Sequence, residues 1–237
     1  MDESNLLKTL REARVVDLSQ TLEEHMPHFP THSKFFHNLW GSYWHGGRSL
    51  SYQLVMHEHN GTHVDAPAHF ISDAKPEAHL TIDQLPVTCL IGRGVHLDCR
   101  ASKETDYVSS RQIIDWESRH GGIAQGDIVL FDFGWSALWA LRPHDGPYVE
   151  QWPGVSMEAA EYLISKSVAA IGVDTLSPDP PEALRTNPIH PVLLEKRVLI
   201  MENLTNLGDL PDFFVFVALP LKIRVGSGSP IRAVALV

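Results

Sequence analysis

Short apolar runs separated by polar turns recur along most of this chain. Alternating or continuous apolar residues over four to eight positions predict β-strands. Such runs lie at 15–18, 51–56, 89–97, 127–133, 168–173, 197–201, 213–219 and 230–237. The continuous run D-I-V-L-F-D-F at 127–133 is typical of a strand that is buried on both faces.

Helical spacing of apolar residues appears in a smaller number of segments. It predicts helices over residues 3–12, from Ser109 or Ser110 to His120, and from Ser156 onwards. The serines are suited to cap helix N-termini, and the Gly121-Gly122 pair is suited to end the second helix. Residues 81–85 predict a short helix or turn. Strands outnumber helices and no repeat is present, so the pattern predicts one α/β domain over 1–237 with a mixed sheet.

One segment departs from this pattern. Residues 20–48 are rich in aromatic residues and are interrupted by prolines and glycines, which predicts irregular structure. Long irregular segments often act as lids or binding arms. The alternative interpretation is a surface loop with a small core of its own.

Composition and charge narrow the possible partners. The chain has 237 residues, 43% of them hydrophobic, 20% of them charged, and a net charge of -10. This balance argues against nucleic acid or an anionic membrane as the main partner. No apolar window is long enough to span a bilayer, and the N-terminus lacks the features of a signal peptide. With Cys89 and Cys99 expected as reduced thiols, a cytoplasmic protein is expected.

A dense group of candidate metal ligands lies in the stretch H-E-H-N-G-T-H-V-D-A-P-A-H-F at 57–70. Imidazole and carboxylate groups bind zinc, manganese and iron. Its Asn-Gly pair and its proline argue against a continuous helix, so the group is expected on a strand end and turn. His59, His63 and Asp65 together leave coordination positions open, as a catalytic metal requires. His69 is a fourth ligand or a free acid/base. His57 either contacts the ligands without binding the metal or has no role in the site.

Further candidates follow downstream. Glu202 ends the apolar run at 198–201, where burying a carboxylate is costly unless a cation is present. His190 lies nearby in N-P-I-H-P-V-L-L. Asp174, like Glu202, directly follows an apolar run that is predicted to be a strand. The alternatives are a solvent-exposed strand end for Glu202 and a helix or turn cap for Asp174.

Most of the 14 histidines have no predicted role. Outside the cluster and His190, the unassigned ones are His25, His28, His32, His37, His45, His79, His96, His120 and His144.

These motifs resemble those of a known family. H-N-G-T-H-V-D-A-P-A-H is similar to the H-x-G-T-H-x-D-x-P-x-H signature of the cyclase family of metal-dependent hydrolases. G-V-D-T-L-S-P-D, H-P-V-L-L with E-N-L, and P-L-K-I-R-V-G-S-G-S-P-I-R-A-V-A resemble further segments of the same family. Together they cover most of the chain after residue 50.

The resemblance implies a two-metal site. In this chain, His59, His63 and Asp65 match the ligands of a first divalent ion, zinc or manganese. Asp65 would bridge to a second ion held by His190 and Glu202. The resemblance also implies a compact domain of the swivelling β/β/α type, assembled as a homodimer or larger homo-oligomer.

Catalytic and substrate-binding roles also come from the resemblance. His69 matches the catalytic histidine of the family. The aromatic N-terminal segment of the family contributes to the substrate pocket. The matching candidates here are Phe29, Phe35, Phe36, Trp40 and Trp44.

The expected activity is therefore hydrolysis of the amide bond of a small aromatic substrate by a metal-activated water, as in an arylformamidase. The alternative within the family is hydrolysis of an isatin-like lactam or of a lactone. A metal-binding protein without turnover is a third possibility. An iron oxygenase would fit His59, His63 and Asp65 alone but would leave His190 and Glu202 without a role.

Overall fold

The computed structural model describes residues 3–103 and 106–237, without the side chains of Asn5 and Leu6. The strands are β1 (Val15–Asp17), β2 (Phe36–Gly41), β3 (Ser51–Val55), β4 (His63–Asp65), β5 (Ile91–Asp98), β6 (Tyr107–Val108), β7 (Ile128–Asp132), β8 (Gly154–Val155), β9 (Ala170–Val173), β10 (Leu199–Glu202), β11 (Phe213–Val217), β12 (Gly228–Pro230) and β13 (Val234–Leu236). The helices are α1 (Glu3–Glu12), α2 (Ser110–His120), α3 (Gly146–Val149), α4 (Met157–Ser165), α5 (Pro181–Thr186) and α6 (His190–Glu195).

A nine-stranded mixed sheet organises the domain, in the order β1-β13-β11-β5-β7-β9-β10-β4-β12. The four central strands β5, β7, β9 and β10 are parallel. Helices α2, α4 and α6 lie in the connections between them, because parallel neighbours need a crossover. The strands on both margins pair antiparallel, with β11, β13 and β1 on one side and β4 and β12 on the other.

The sheet has an apolar core on each face. Val129 and Phe131 of β7 pack with the helical layer, whereas Ile128 and Leu130 of the same strand pack in the second core. This alternation follows from the two-residue period of a strand. The antiparallel margins contribute to the second core, so the sheet curls over that face and the fold buries both sides of its parallel centre.

The structure confirms an α/β domain with a mixed sheet. The helix caps at Ser109 and Ser156 are present, as is the helix end at Gly121. Both cysteines are free thiols. Among the described residues, every helix is too short or too polar to cross a bilayer.

Two expectations about secondary structure were wrong. Residues 20–48 are not irregular throughout, because β2 lies within them and pairs with β3 as an antiparallel hairpin. The C-terminal segment forms two strands, β12 and β13, rather than one. Helices α5 and α6 were not predicted, since each is only six residues long and contains proline in its first turn.

Candidate metal centre

The turn before β4 positions the first candidate ligands. Gly61 has a φ of 65°, and a Cβ there would lie 2.3 Å from Leu22 Cδ2, so this turn requires glycine. His59 precedes the turn, and His63 and Asp65 follow it in β4. Residues two apart in a strand share a face, so His63 and Asp65 point the same way.

Neighbouring strands complete the group. Glu202, at the end of β10, lies directly opposite His63 in the antiparallel pair. On the other edge of β4, Gly228 of β12 pairs with Asp65. A Cβ on Gly228 would lie 2.5 Å from His59 Cε1, so the absence of a side chain there makes room for the imidazole.

His190 reaches the same place from the first residue of α6. Its Nδ1 lies 2.5 Å from Asp179 Oδ2, and the other oxygen of Asp179 accepts the backbone N–H of Ile189 at 2.8 Å. Asp179 is fully buried. A carboxylate that holds one ring nitrogen of a histidine fixes the tautomer and aims the other nitrogen, as is common behind metal ligands.

The hydrogen bonds around His63 leave the lone pair of its Nε2 facing two carboxylates. Its Nδ1 lies 2.9 Å from Gly61 O, and a carbonyl oxygen only accepts, so the proton is on Nδ1. Its Nε2 lies 3.4 Å from Asp65 Oδ1 and 3.3 Å from Glu202 Oε2. A lone pair facing two carboxylate oxygens is repulsive unless a cation or a proton lies between them.

His190 repeats this arrangement. Because Asp179 occupies its Nδ1, its Nε2 faces Asp65 Oδ2 at 3.4 Å and Glu202 Oε1 at 3.2 Å. All four side chains are buried. The same place is therefore surrounded by two carboxylates and two imidazole nitrogens.

The pKa values of His63 and His190 are raised by the carboxylates that surround them. Burial alone would lower the pKa of His63, but its hydrogen bonds to Asp65 and Glu202 raise that pKa to about 10. The pKa of His190 is raised well above its usual range against the same effect of burial, through hydrogen bonds to Asp179 and Asp65. Positive charge is thus strongly favoured here, and a divalent cation would supply it.

His69 and His59 form a second group around Asp65. His59 Nδ1 lies 2.6 Å from Asp65 Oδ1, and the rings of His59 and His69 stack with centroids 4.1 Å apart. Ligand atoms of His59, Asp65 and His69 lie within 4.8 Å of one another, as do those of Asp65, His190 and Glu202. The structure therefore brings every predicted ligand together around Asp65, and it places His69 close enough to be either a ligand or a free acid/base.

The residues fit a divalent metal. The cavity above them is lined by no lysine or arginine among the described residues, so within this lining only histidines are available to neutralise Asp65 and Glu202. Burying two carboxylates without a permanently charged partner is costly. Mixed imidazole and carboxylate ligands suit zinc or manganese, and Asp65 is shared by both candidate groups. The alternative of a solvent-exposed Glu202 is wrong, because its side chain is 10% exposed.

A cavity of about 220 Å³ lies beside the candidate ligands. Of the predicted aromatic residues, Phe29 lines it. Phe35 is buried away from it, and Phe36, Trp40 and Trp44 are exposed on or beside the β2–β3 hairpin. Of this set, Phe29 alone lines the cavity within one chain, and its role in binding substrate stays a prediction.

Several residues of the cavity were missed from the sequence. Phe70 lies edge-on to His69 with ring centroids 4.7 Å apart, and it faces His190 at 5.0 Å. Because Phe70 directly follows His69 in the sequence, its position at the site could have been predicted. His32 also lines the cavity, and burial together with the charges of nearby histidines lowers its pKa to about 4. No motif marked His32, because the arm that carries it reaches the site only in the folded chain.

His69 is the other histidine of the cavity with a depressed pKa. Burial lowers this pKa to about 4, and His59 and His190 add to the effect against the opposing charge of Asp65. The imidazole is therefore neutral near pH 7. A neutral imidazole is able to accept a proton and later return it.

His57 and Asp174 lie outside the ligand groups. His57 Nδ1 accepts the backbone N–H of His59 at 3.2 Å, so it supports the local backbone. Asp174 accepts the N–H groups of Phe133 and Ser136 at 2.9 and 3.1 Å. These contacts agree with the turn-cap interpretation of Asp174.

A buried hydrogen-bond chain supports the ligands from behind. The carbonyl of Gly61, which holds His63, also accepts from Asn203 Nδ2 at 2.9 Å. Asn203 Oδ1 accepts from the hydroxyl of Tyr148 at 2.8 Å. Since Asn203 directly follows Glu202, one chain of contacts positions ligands on both β4 and β10.

Comparison with known proteins places this geometry in context. The sequence matches the family model described as "Putative cyclase" over residues 16–180. It is 34% identical over 197 residues to the isatin hydrolase of Roseibium aggregatum, covering 78% of this chain and 73% of that protein. It is 32% identical over 229 residues to the kynurenine formamidase of Erythrobacter litoralis, covering 93% of each.

Solved structures share the whole fold. A crystal structure of an isatin hydrolase bound to the product analogue thioisatinate superposes with a TM-score of 0.90 at 28% identity. The match covers 100% of this chain and 99% of that one.

Proposed function

The chain belongs to the cyclase family, and from that membership we propose that it is a metal-dependent hydrolase that cleaves the C–N bond of a small aromatic amide. The activity resembles that of an arylformamidase. One observation carries the proposal: imidazole nitrogens of His63 and His190 face the carboxylates of Asp65 and Glu202 in a cavity that no described lysine or arginine lines.

We assign the ligands as follows. His59, His63 and Asp65 hold one divalent ion, and Asp65, His190 and Glu202 hold a second, with zinc or manganese as the metal. Ions held there would supply Lewis acidity, which polarises a carbonyl group and makes water more acidic. Asp179 and Gly61 O fix the tautomers of His190 and His63, which leaves their Nε2 atoms free to bind.

His69 moves the proton in this proposal. Its neutral imidazole accepts a proton from the attacking water and delivers it to the leaving nitrogen. It lies at the wall of the cavity, beside Phe70. Phe29, Phe70 and Leu184 form an apolar wall that favours an aromatic substrate and limits the access of bulk water.

A second candidate substrate is a lactam of the isatin type. The observation that favours it is the TM-score of 0.90 to an isatin hydrolase over the whole chain. Opening such a ring uses the same proton transfers as cleavage of an open-chain amide. The two candidates differ only in the shape of the bound molecule.

The test is a hydrolysis panel joined to metal analysis. Purified protein is incubated with N-formylkynurenine, formanilide, isatin and a simple lactone, before and after chelation and re-addition of zinc or manganese. We expect metal-dependent release of product from an amide or from isatin, with one to two ions per chain by elemental analysis. Metal-free protein that is equally active would contradict the proposal.

We further propose that the protein acts as a homodimer or larger homo-oligomer in the cytoplasm. Trp40 and Trp44 are 77% and 65% exposed on or beside the β2–β3 hairpin. Contiguous exposed apolar residues usually mark interaction surfaces, and a second copy is the partner we assign. The two free thiols favour a reducing compartment.

A further inference from the structure

His32 is a cavity-lining residue that the proposed mechanism does not use. It lies in the arm before β2, and its ring stacks on His57 with centroids 4.0 Å apart and an interplanar angle of 8°. Its centroid is 5.7 Å from that of His59. His32 therefore stands beside the candidate ligands.

The position of His32 is well defined by its neighbours. Its backbone N–H donates to Phe29 O at 2.9 Å, which closes a tight turn. The next residue is tied to the turn before β4, because Asn60 Nδ2 donates to Ser33 O at 3.0 Å. The arm thus holds the imidazole in place against the site.

The two ring nitrogens of His32 differ in environment. Nδ1 is buried and has no hydrogen-bond partner. No described residue forms a hydrogen bond with Nε2, and the side chain lines the cavity. A neutral imidazole carries one N–H, and buried N–H groups without an acceptor are rare because they lose their hydration. The lone pair therefore belongs on Nδ1, and Nε2 carries the proton.

A donor is scarce in this cavity. The carboxylates of Asp65 and Glu202 only accept, and the Nε2 atoms of His63 and His190 face those carboxylates. Among the described lining residues that are not assigned as metal ligands, His32 and His69 each supply an imidazole N–H, and Thr31 and Ser177 supply hydroxyls. Because His69 transfers the proton in the proposed mechanism, His32 is the imidazole donor left for another substrate oxygen. A substrate oxygen that does not take part in the reaction would need such a donor, since leaving it unpaired costs binding energy.

We propose that His32 donates its Nε2–H to an acceptor oxygen of the substrate other than the carbonyl that is cleaved. This role rests on the proposed function, and it makes His32 a specificity-determining residue. Because His32 lies beside His59, the oxygen it binds is close to the scissile amide, as on the neighbouring atom of an aromatic ring. Aryl amides with an ortho carbonyl are then preferred over those without one.

The test compares two substrates that differ only in that oxygen, 2-acetylformanilide and formanilide. His32→Phe keeps a stacking ring and removes the donor, whereas His32→Gln keeps an N–H at a similar reach. His37→Phe is the matched control, since His37 lies in the following strand β2 and stacks on Tyr52 at 3.9 Å but does not line the cavity. Metal content is measured for each variant.

We expect His32→Phe to lower kcat/KM for 2-acetylformanilide about tenfold more than for formanilide, as the loss of one hydrogen bond predicts. His32→Gln should restore part of the preference, and the control should keep it. An equal loss on both substrates, or a loss that His32→Gln does not restore, would overturn the role of His32.

The role of His32 and the proposed function fail in different ways. If the wild-type protein cleaves neither compound and no member of the amide and isatin panel, the proposed function is wrong. Calorimetric binding of the same two compounds to wild-type and His32→Phe protein still decides the inference. A selective loss of affinity for 2-acetylformanilide supports it, and equal affinities in the two proteins overturn it.

Discussion

The metal centre and the β2–β3 hairpin depart from ordinary burial in opposite ways. At the centre, polar and ionisable side chains such as Asp65, His190 and Glu202 are buried. On the hairpin, large apolar side chains such as Trp40 and Leu54 are exposed. A typical domain buries apolar groups and leaves charges in water.

Each departure is the basis of one proposal above, divalent ions at the centre and a second copy of the chain at the hairpin. The buried acids favour cations, because burial without them is costly. The exposed aromatic residues favour a protein surface, because hydration of a contiguous apolar patch is costly. The two partners differ in size and chemistry, so perturbing one region should leave the other intact.

The largest effect is expected from Asp65→Ala. This change removes the carboxylate shared by both candidate ligand groups, so both ions should be lost and kcat should fall at least about a thousandfold. Elemental analysis and amide hydrolysis measure the two effects. Asp73→Ala, which removes an exposed carboxylate from the following loop, is the control. Full metal occupancy in Asp65→Ala would show that Asp65 does not bridge.

A smaller effect is expected from a charge on the hairpin. Trp40→Asp should weaken self-association by roughly thirtyfold or more, since buried tryptophans at interfaces are often worth about 2 kcal/mol or more. Sedimentation equilibrium measures the oligomer, and metal content should not change. Val87→Asp is the matched control, because Val87 is 71% exposed outside the hairpin. A monomeric wild-type protein, or equal effects of the two changes, would refute the interface.

A third buried acid sharpens the contrast with the metal centre. Asp174 is buried as deeply as Asp65, but it faces backbone N–H groups rather than imidazoles. Burial raises the pKa of Asp174 to about 7, whereas the pKa of Asp65 is held well below its usual range by His59 and its other histidine partners despite burial. The folded chain therefore keeps a proton on Asp174 between pH 4 and 7 that the unfolded chain releases.

The proton on Asp174 determines how the stability of the folded chain changes with pH. The proton on Asp174 stabilises the folded chain fully below the pKa that Asp174 has in the unfolded chain. This stabilisation is lost as the pH rises through about 7. The free energy of unfolding of the wild-type protein should fall between pH 5 and pH 8. In Asp174→Asn this fall should be smaller by about 1–3 kcal/mol, as measured by denaturant unfolding in the presence of a chelator. Asp127→Asn, which alters a carboxylate paired with Arg93, is the control. A pH profile that is identical in wild-type and Asp174→Asn protein would contradict the raised pKa.

Local signals predicted much of the fold and part of the site. The strand at 127–133 and the helix capped by Ser109 are continuous in sequence, so their pattern was sufficient. The density of ligand types at 57–70 marked a metal site for the same reason. The hairpin was missed as a strand pair, because the aromatic residues and glycines of 36–47 obscure a period of two. Phe36, Trp40 and Trp44 were assigned to the pocket by family resemblance, and their exposure is a property of the folded chain.

The amino-acid sequence by itself determined which groups are available: the ligands around the Asn60-Gly61 turn, a carboxylate at the end of an apolar strand, and the histidine of the N-P-I-H-P segment. Only the tertiary structure decided their pairing, because strand register sets Glu202 opposite His63 and a helix start brings His190 onto Asp179. It also decided that His32 reaches the cavity while the hairpin aromatics do not. Contacts between distant residues depend on packing of the whole chain, and no local period encodes them.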